Sequence, residues 1–160
     1  MKRYFVSKHE SRDYIEKVQA SCGLDLGVPR SAQVELIQPD DTARFLVVDG
    51  KYTFVESGSE LFPFVGSRSL TSMLPSVYID EGAVRFILKG ADVMRPGILR
   101  YDEWGDKGRL VIVRDAGKER ALAIGRALMT SAEMASATKG ISLKNLHYAG
   151  DRVWDSYKRI

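Results

Sequence analysis

The residues of this 160-residue chain best placed for chemistry lie between Arg85 and Arg95, and what they suggest is the holding of phosphate rather than the breaking of bonds. Arg85 and Lys89 recur at helical spacing with Glu81, so the three share one wet helix face. Gly90 and Ala91 follow with almost no side chain, then Asp92 and Met94, and Arg95 closes the run. Three cations beside a bare backbone turn suit a sugar–phosphate chain. A plain solvated helix face has similar charges, and the adjoining glycine turn is what favours the phosphate reading. Asp92 has two readings, a brace for the loop or an acceptor for a base amino group, and bracing is preferred. Met94 is either a flexible apolar contact for a base or a core residue.

Bond-breaking chemistry has little material here. There is no Walker loop, metal-ligand histidine pair, nucleophile elbow or Rossmann fingerprint. The single cysteine, Cys22, forms no internal disulfide and no cysteine zinc site, and its helical spacing from Tyr14, Ile15 and Val18 marks it as a core residue. His147 lies in an alternating strand pattern without a neighbouring nucleophile, so it is read as structural or as an occasional RNA contact. Asp40-Asp41 and Asp80-Glu81 are read as turn and helix-start residues. No catalytic residue, metal site or cofactor is expected.

Several elements must position the cationic run. Val77 to Ile79 suit a half-buried strand, Asp80 is a helix N-cap, and the helix is predicted over Glu81 to Lys89. Its expected apolar face is Ala83, Phe86 and Ile87, with Val84 and Leu88 beside them. Gly90 closes it, and Met94 to Gly97 are expected to be extended because Pro96 resists renewed helix. Downstream, Asp102 to Gly108 read as a surface loop, Leu110 to Val113 as a buried strand, and Ala121 to Met129 as a strand whose Gly125 permits close backbone approach. Thr130 and Glu133 have capping-box spacing for a short helix, and Ile141 to Tyr148 follow it.

Upstream, Ser7 and Glu10 form another capping box for a helix that Gly23 ends near Cys22. Val34 to Leu36, Arg44 to Val48 and Tyr52 to Val55 make a small antiparallel meander turning at Pro39-Asp40-Asp41 and Asp49-Gly50-Lys51. The Gly58 region is read as a loop, Phe62 to Phe64 as an apolar clasp, and Ser67 to Leu74 as a short helix stopped before Pro75. Residues 1–74 hold 9 Lys+Arg and 10 Asp+Glu and the remainder 15 and 11, so the positive excess is assigned to the second half. Such a half attracts polyphosphate. A hydrophobic content of 44% permits a packed interior, and the lack of a long apolar run or signal-peptide core leads to an expectation of a cytoplasmic protein without a membrane partner.

The order of strand, capped helix and Gly-Ala-Asp-Val-Met-Arg-Pro-Gly resembles the start of a PUA domain, carried by Asp80 to Ala83, Phe86, Leu88, Gly90 to Met94, Pro96 and Gly97. The tail from Lys139 to Trp154, with Gly140, Ile141, Asn145, His147, Tyr148 and Asp151, is similar to the ending of the malignant T-cell-amplified-sequence proteins and their archaeal relatives. The resemblance implies an α+β protein: a small N-terminal α/β-meander domain over 1–74, then a mostly antiparallel β pseudo-barrel over 75–160. It also implies binding of structured RNA, ribosomal or transfer, through Arg85, Lys89, Gly90, Ala91, Asp92, Met94, Arg95 and Tyr148. Trp154 is expected to plug the barrel, and Tyr148 to pack in the core with its hydroxyl free to stay wet. The expected role is non-catalytic work in translation initiation, re-initiation or recycling, with the small ribosomal subunit and a second translation factor as partners. The alternative is an accessory tRNA-binding subunit of an RNA-modifying enzyme, or a ribosome-biogenesis factor.

Overall fold

A computed structural model describes residues 1–160, which divide into two compact units: Met1–Met73 with Arg152–Ile160, and Leu74–Asp151. The first holds β1 (Lys2–Phe5), α1 (Lys8–Cys22), β2 (Val34–Gln38), β3 (Arg44–Val48), β4 (Tyr52–Ser57), β5 (Glu60–Pro63) and α2 (Arg68–Thr71), together with the C-terminal helix Arg152–Tyr157. The capping box forms as the spacing predicts: Ser7 Oγ accepts the Glu10 N–H at 3.1 Å, and the Ser7 N–H donates to Glu10 Oε2 at 3.2 Å. Gly23 ends α1 in the left-handed conformation, and Val18 and Cys22 are buried. Buried Ser11 ties the helix to the sheet by accepting the Val34 N–H at 3.0 Å.

The five strands pair in sequence order, all antiparallel. Leu36, Leu46 and Phe54 align on one face, and Ile37, Phe45, Val55 and Phe62 on the other, all buried. Alternation puts Glu56 on the face of Phe54, and Lys17 of α1 reaches it at 3.6 Å, so α1 lies on that side. The C-terminal helix lies on the other, with Tyr157 stacked on Phe64 at 4.2 Å and edge-on to Phe45 at 5.3 Å. Here two expectations change. The Gly58 segment is a hairpin turn into β5 rather than a loop. Trp154 plugs no barrel: it stacks on Phe64 at 5.6 Å, within the first unit. Because residues 152–160 carry three cations and one acid, their placement leaves the units nearly equal in charge, about +1 and +2 by residue count, so the positive excess does not belong to the second unit alone.

The second unit holds β6 (Ser76–Ile79), α3 (Glu81–Ile87), β7 (Val93–Met94), β8 (Ile98–Tyr101), β9 (Leu110–Asp115), β10 (Ala121–Ala127), α4 (Ser131–Ser136) and β11 (Ile141–Tyr148). Its sheet runs β7-β11-β10-β9-β6-β8, antiparallel except for β6 and β9, and curls into a nearly closed barrel. The core contains Val77, Ile79, Val111, Val113, Ala123, Met134 and Leu143. The tryptophan that fills this core is Trp104, from the segment expected to be a surface loop; it is buried and its Nε1–H donates to Met129 O at 2.9 Å. Gly125 sits at a bulge, where a Cβ would lie 3.1 Å from Leu143. No helix of the chain is long and apolar enough to cross a membrane.

Candidate nucleic-acid interface

The cationic run sits where α3 turns into β7. Asp80 Oδ1 accepts the Gly82 N–H at 3.2 Å, which starts α3 as its sequence predicts. The helix stops at Ile87, and the turn closes with Gly90 N–H donating to Ile87 O and Ala91 N–H to Phe86 O, both at 3.0 Å. This is a Schellman closure with Gly90, φ +97°, in the position that L side chains resist. The glycine also makes room for Tyr148, whose Cε1 would lie 3.3 Å from a Cβ there. Gly90 thus faces a tyrosine ring on one side, and Tyr148 packs against the barrel core.

Asn145 of β11 fastens the loop. Its Nδ2 donates to Ile87 O at 3.1 Å and Ala91 O at 3.0 Å, while its backbone N–H donates to Asp92 Oδ1 at 2.9 Å. Asp92 therefore braces, as preferred from sequence. Arg95 also braces: Nε donates to Met134 O at 2.8 Å, Nη1 to Ile98 O at 3.1 Å, and the guanidinium stacks 5.5 Å over Tyr101. Met94 to Gly97 are not extended throughout. After Met94 the chain makes a 3₁₀ turn, Arg95–Gly97, where Pro96 sits in the first turn and its missing N–H costs no bond.

What remains exposed is a different set from the one that spacing assigned. Phe86, expected in the core, is 52% exposed, and Met94 is 48% exposed. With Ala83, Ile87 and Ala91 they line an apolar cavity of about 310 Å³. Ile141 is directly opposite Met94 across the β7–β11 pair and extends the apolar surface. Arg85 lies 4.8 Å over the Phe86 ring, and Lys89 is exposed; neither has a carboxylate partner. Phe86 and Ile141 were missed because a two-turn helix and a short paired strand leave periodicity ambiguous about which apolar side chain is covered. Asn145 belongs to the family-like tail, but its neighbours in sequence give no sign of its bonds, which reach residues more than 50 positions away.

The arrangement provides two uncompensated cations, an aromatic edge and an apolar hollow, a set that suits a phosphate chain with an unstacked base beside it. His147 takes no part. It is fully buried, with Nδ1 2.8 Å from Asp151 Oδ2, which also accepts the Tyr148 N–H at 3.0 Å.

Residues 75–149 match the family model of the PUA domain. An uncharacterized protein of Methanocaldococcus jannaschii is 34% identical over 158 residues, covering 96% of each chain. Translation machinery-associated protein 20 of Saccharomyces cerevisiae is 34% identical over 139 residues, or 82% of this chain and 77% of that protein. Among solved structures, a hypothetical protein of Pyrococcus horikoshii superposes with a TM-score of 0.75 at 30% identity, covering 96% of this chain and 98% of its own.

Proposed function

The chain belongs to the PUA-domain family that includes translation machinery-associated protein 20 and the malignant T-cell-amplified sequence proteins, and on that premise we propose that it is a non-catalytic, cytoplasmic RNA-binding protein of the translation machinery. Its RNA is ribosomal or transfer RNA, gripped by the α3 surface and held at the small ribosomal subunit alongside a second translation factor. The observation that carries this reading is the apolar hollow between Phe86 and Met94 with unpaired Arg85 and Lys89 beside it. Arg85 and Lys89 hold phosphate, Phe86 and Met94 receive a base, and Gly90, Ala91 and Tyr148 shape the approach. Asp92, Asn145 and Arg95 keep the loop in place without needing to touch RNA.

The test is a salt titration of binding to transfer RNA and to small-subunit ribosomal RNA, with melting curves taken in parallel. Arg85→Ala and Lys89→Ala should each make the dependence of log K on log salt shallower by about 0.7 for a single-stranded contact. A folded double variant with unchanged affinity and slope rules out this surface as the RNA site. Sedimentation of cell extract with small ribosomal subunits tests the place of action, and co-migration with an RNA-modifying enzyme instead of subunits would contradict it.

A further inference from the structure

The first unit has an open groove that the α3 reading leaves unused. The C-terminal helix covers its sheet over Phe45 but leaves the neighbouring Glu35 and Val47, on the same face, only half-buried. The uncovered part is a groove of about 520 Å³, with Arg3, Lys51 and Arg68 among its walls. Glu35 is the one acidic side chain lining it, and Arg3 engages that carboxylate through Nε at 3.0 Å and Nη2 at 3.4 Å. Lys51 and Arg68 have no carboxylate partner; the Lys51 ammonium rests 5.1 Å from the centroid of the Tyr52 ring. Two cations without a carboxylate partner therefore border a groove whose acidic side chain is already satisfied.

We propose that this groove is a second phosphate-binding site, which takes the sugar–phosphate backbone of RNA without reading its bases. The proposal rests on the RNA-binding function inferred above and adds a contact in the other unit. A guanidinium, an ammonium and the hydroxyl of Ser69 are donors that match phosphate oxygens. The one aromatic lining the groove, Tyr157, is half-buried and stacked on Phe64 at 4.2 Å, which favours backbone contact over base stacking. An acidic peptide would need pockets for alternate side chains as well as cations, and Ile37 on the floor is buried. Backbone contact of this kind adds affinity and salt dependence equally for all sequences.

The experiment uses the full chain carrying Lys51→Ala and Arg68→Ala together, both at exposed positions, with a melting curve confirming the fold. With intact transfer RNA, the slope of log K against log salt should be shallower by about 1.4 for two single-stranded contacts, rising to about 1.8 if both fall on duplex. With a short single-stranded oligonucleotide that fills only the α3 surface, binding should not change. An unchanged slope with transfer RNA overturns the proposal. So does an oligoglutamate peptide that displaces transfer RNA more effectively than an oligonucleotide of equal charge at the same salt, because the groove would then be a protein-docking site. If Lys51/Arg68 variants weaken binding while Arg85/Lys89 variants do not, the groove stands and the α3 assignment falls; the converse result leaves α3 and removes the groove.

Discussion

Two apolar regions of this molecule have opposite fates. In the first unit, Phe45, Phe64, Trp154 and Tyr157 close on one another at centroid distances of 4.2 to 5.8 Å, because the C-terminal helix returns to cover the sheet. In the second, Phe86 and Met94, which line a hollow, and the adjoining Ile141 stay about half exposed, because no element of the unit lies over them. The first set contributes apolar burial to stability, whereas the second leaves its apolar surface in contact with solvent. Arginines divide the same way: Arg95 has two donors committed to backbone carbonyls, and Arg85 only a ring beneath it.

Truncating the covered set should cost most. Phe45→Ala should lower the stability of the first unit by about 3 to 5 kcal/mol in urea or thermal unfolding, since Phe45 is fully buried and the space left cannot collapse easily. A change under about 1 kcal/mol would break the contrast with Phe86.

Gly90→Val should come next. A β-branched residue at φ +97° is strained by about 2 kcal/mol, and its Cβ meets Tyr148 at 3.3 Å, so both melting temperature and RNA affinity should fall. Adding Tyr148→Ala should relieve the contact but not the backbone strain. Full recovery of stability in that double variant would show that φ is not the constraint.

An acid-dependent term of comparable size comes from Asp115, which serves the barrel and not the surface. Burial pushes its pKa up, but the Lys118 N–H, the Arg120 guanidinium and the Arg120 N–H outweigh burial and pull it down to about 2. A lowered folded-state pKa means that its stabilisation is complete above the unfolded value of about 3.9 and is lost as pH falls towards 2. Asp115→Asn should therefore be less stable at pH 7 by roughly 2 kcal/mol and lose part of the acid sensitivity between about pH 4 and 2, read by unfolding at each pH. An identical pH profile in the two proteins would sink this assignment.

The smallest change in stability, and the most informative, is Phe86→Ala. Unfolding free energy should move by no more than about 0.5 kcal/mol because the ring is half exposed, while RNA affinity should weaken by about 1 to 3 kcal/mol if a base stacks there. Loss of stability without loss of affinity would place Phe86 with Phe45 and remove the distinction between the regions.

Much was determined by sequence alone because it depends on neighbours only a few residues apart. The two capping boxes, the Asp80 cap, the left-handed Gly23 and Gly90, and the meander turning at Asp49-Gly50 all arise from short-range hydrogen bonds and backbone sterics, which are written locally. The family motif, also a local string, gave the PUA domain. Tertiary structure decided which side chains are covered. Trp104 took the barrel position expected of Trp154, Phe86 came out of the core, Asn145 and Arg95 were drawn into bracing the loop, and the cationic C-terminal helix joined the first unit. Each outcome depends on what lies opposite a residue after chain segments 25 to more than 100 residues apart meet, as Trp104 meets Met129 and Ser156 meets Asp40. Periodicity places an apolar side chain on a face, but whether another element covers that face is a property of the assembled fold.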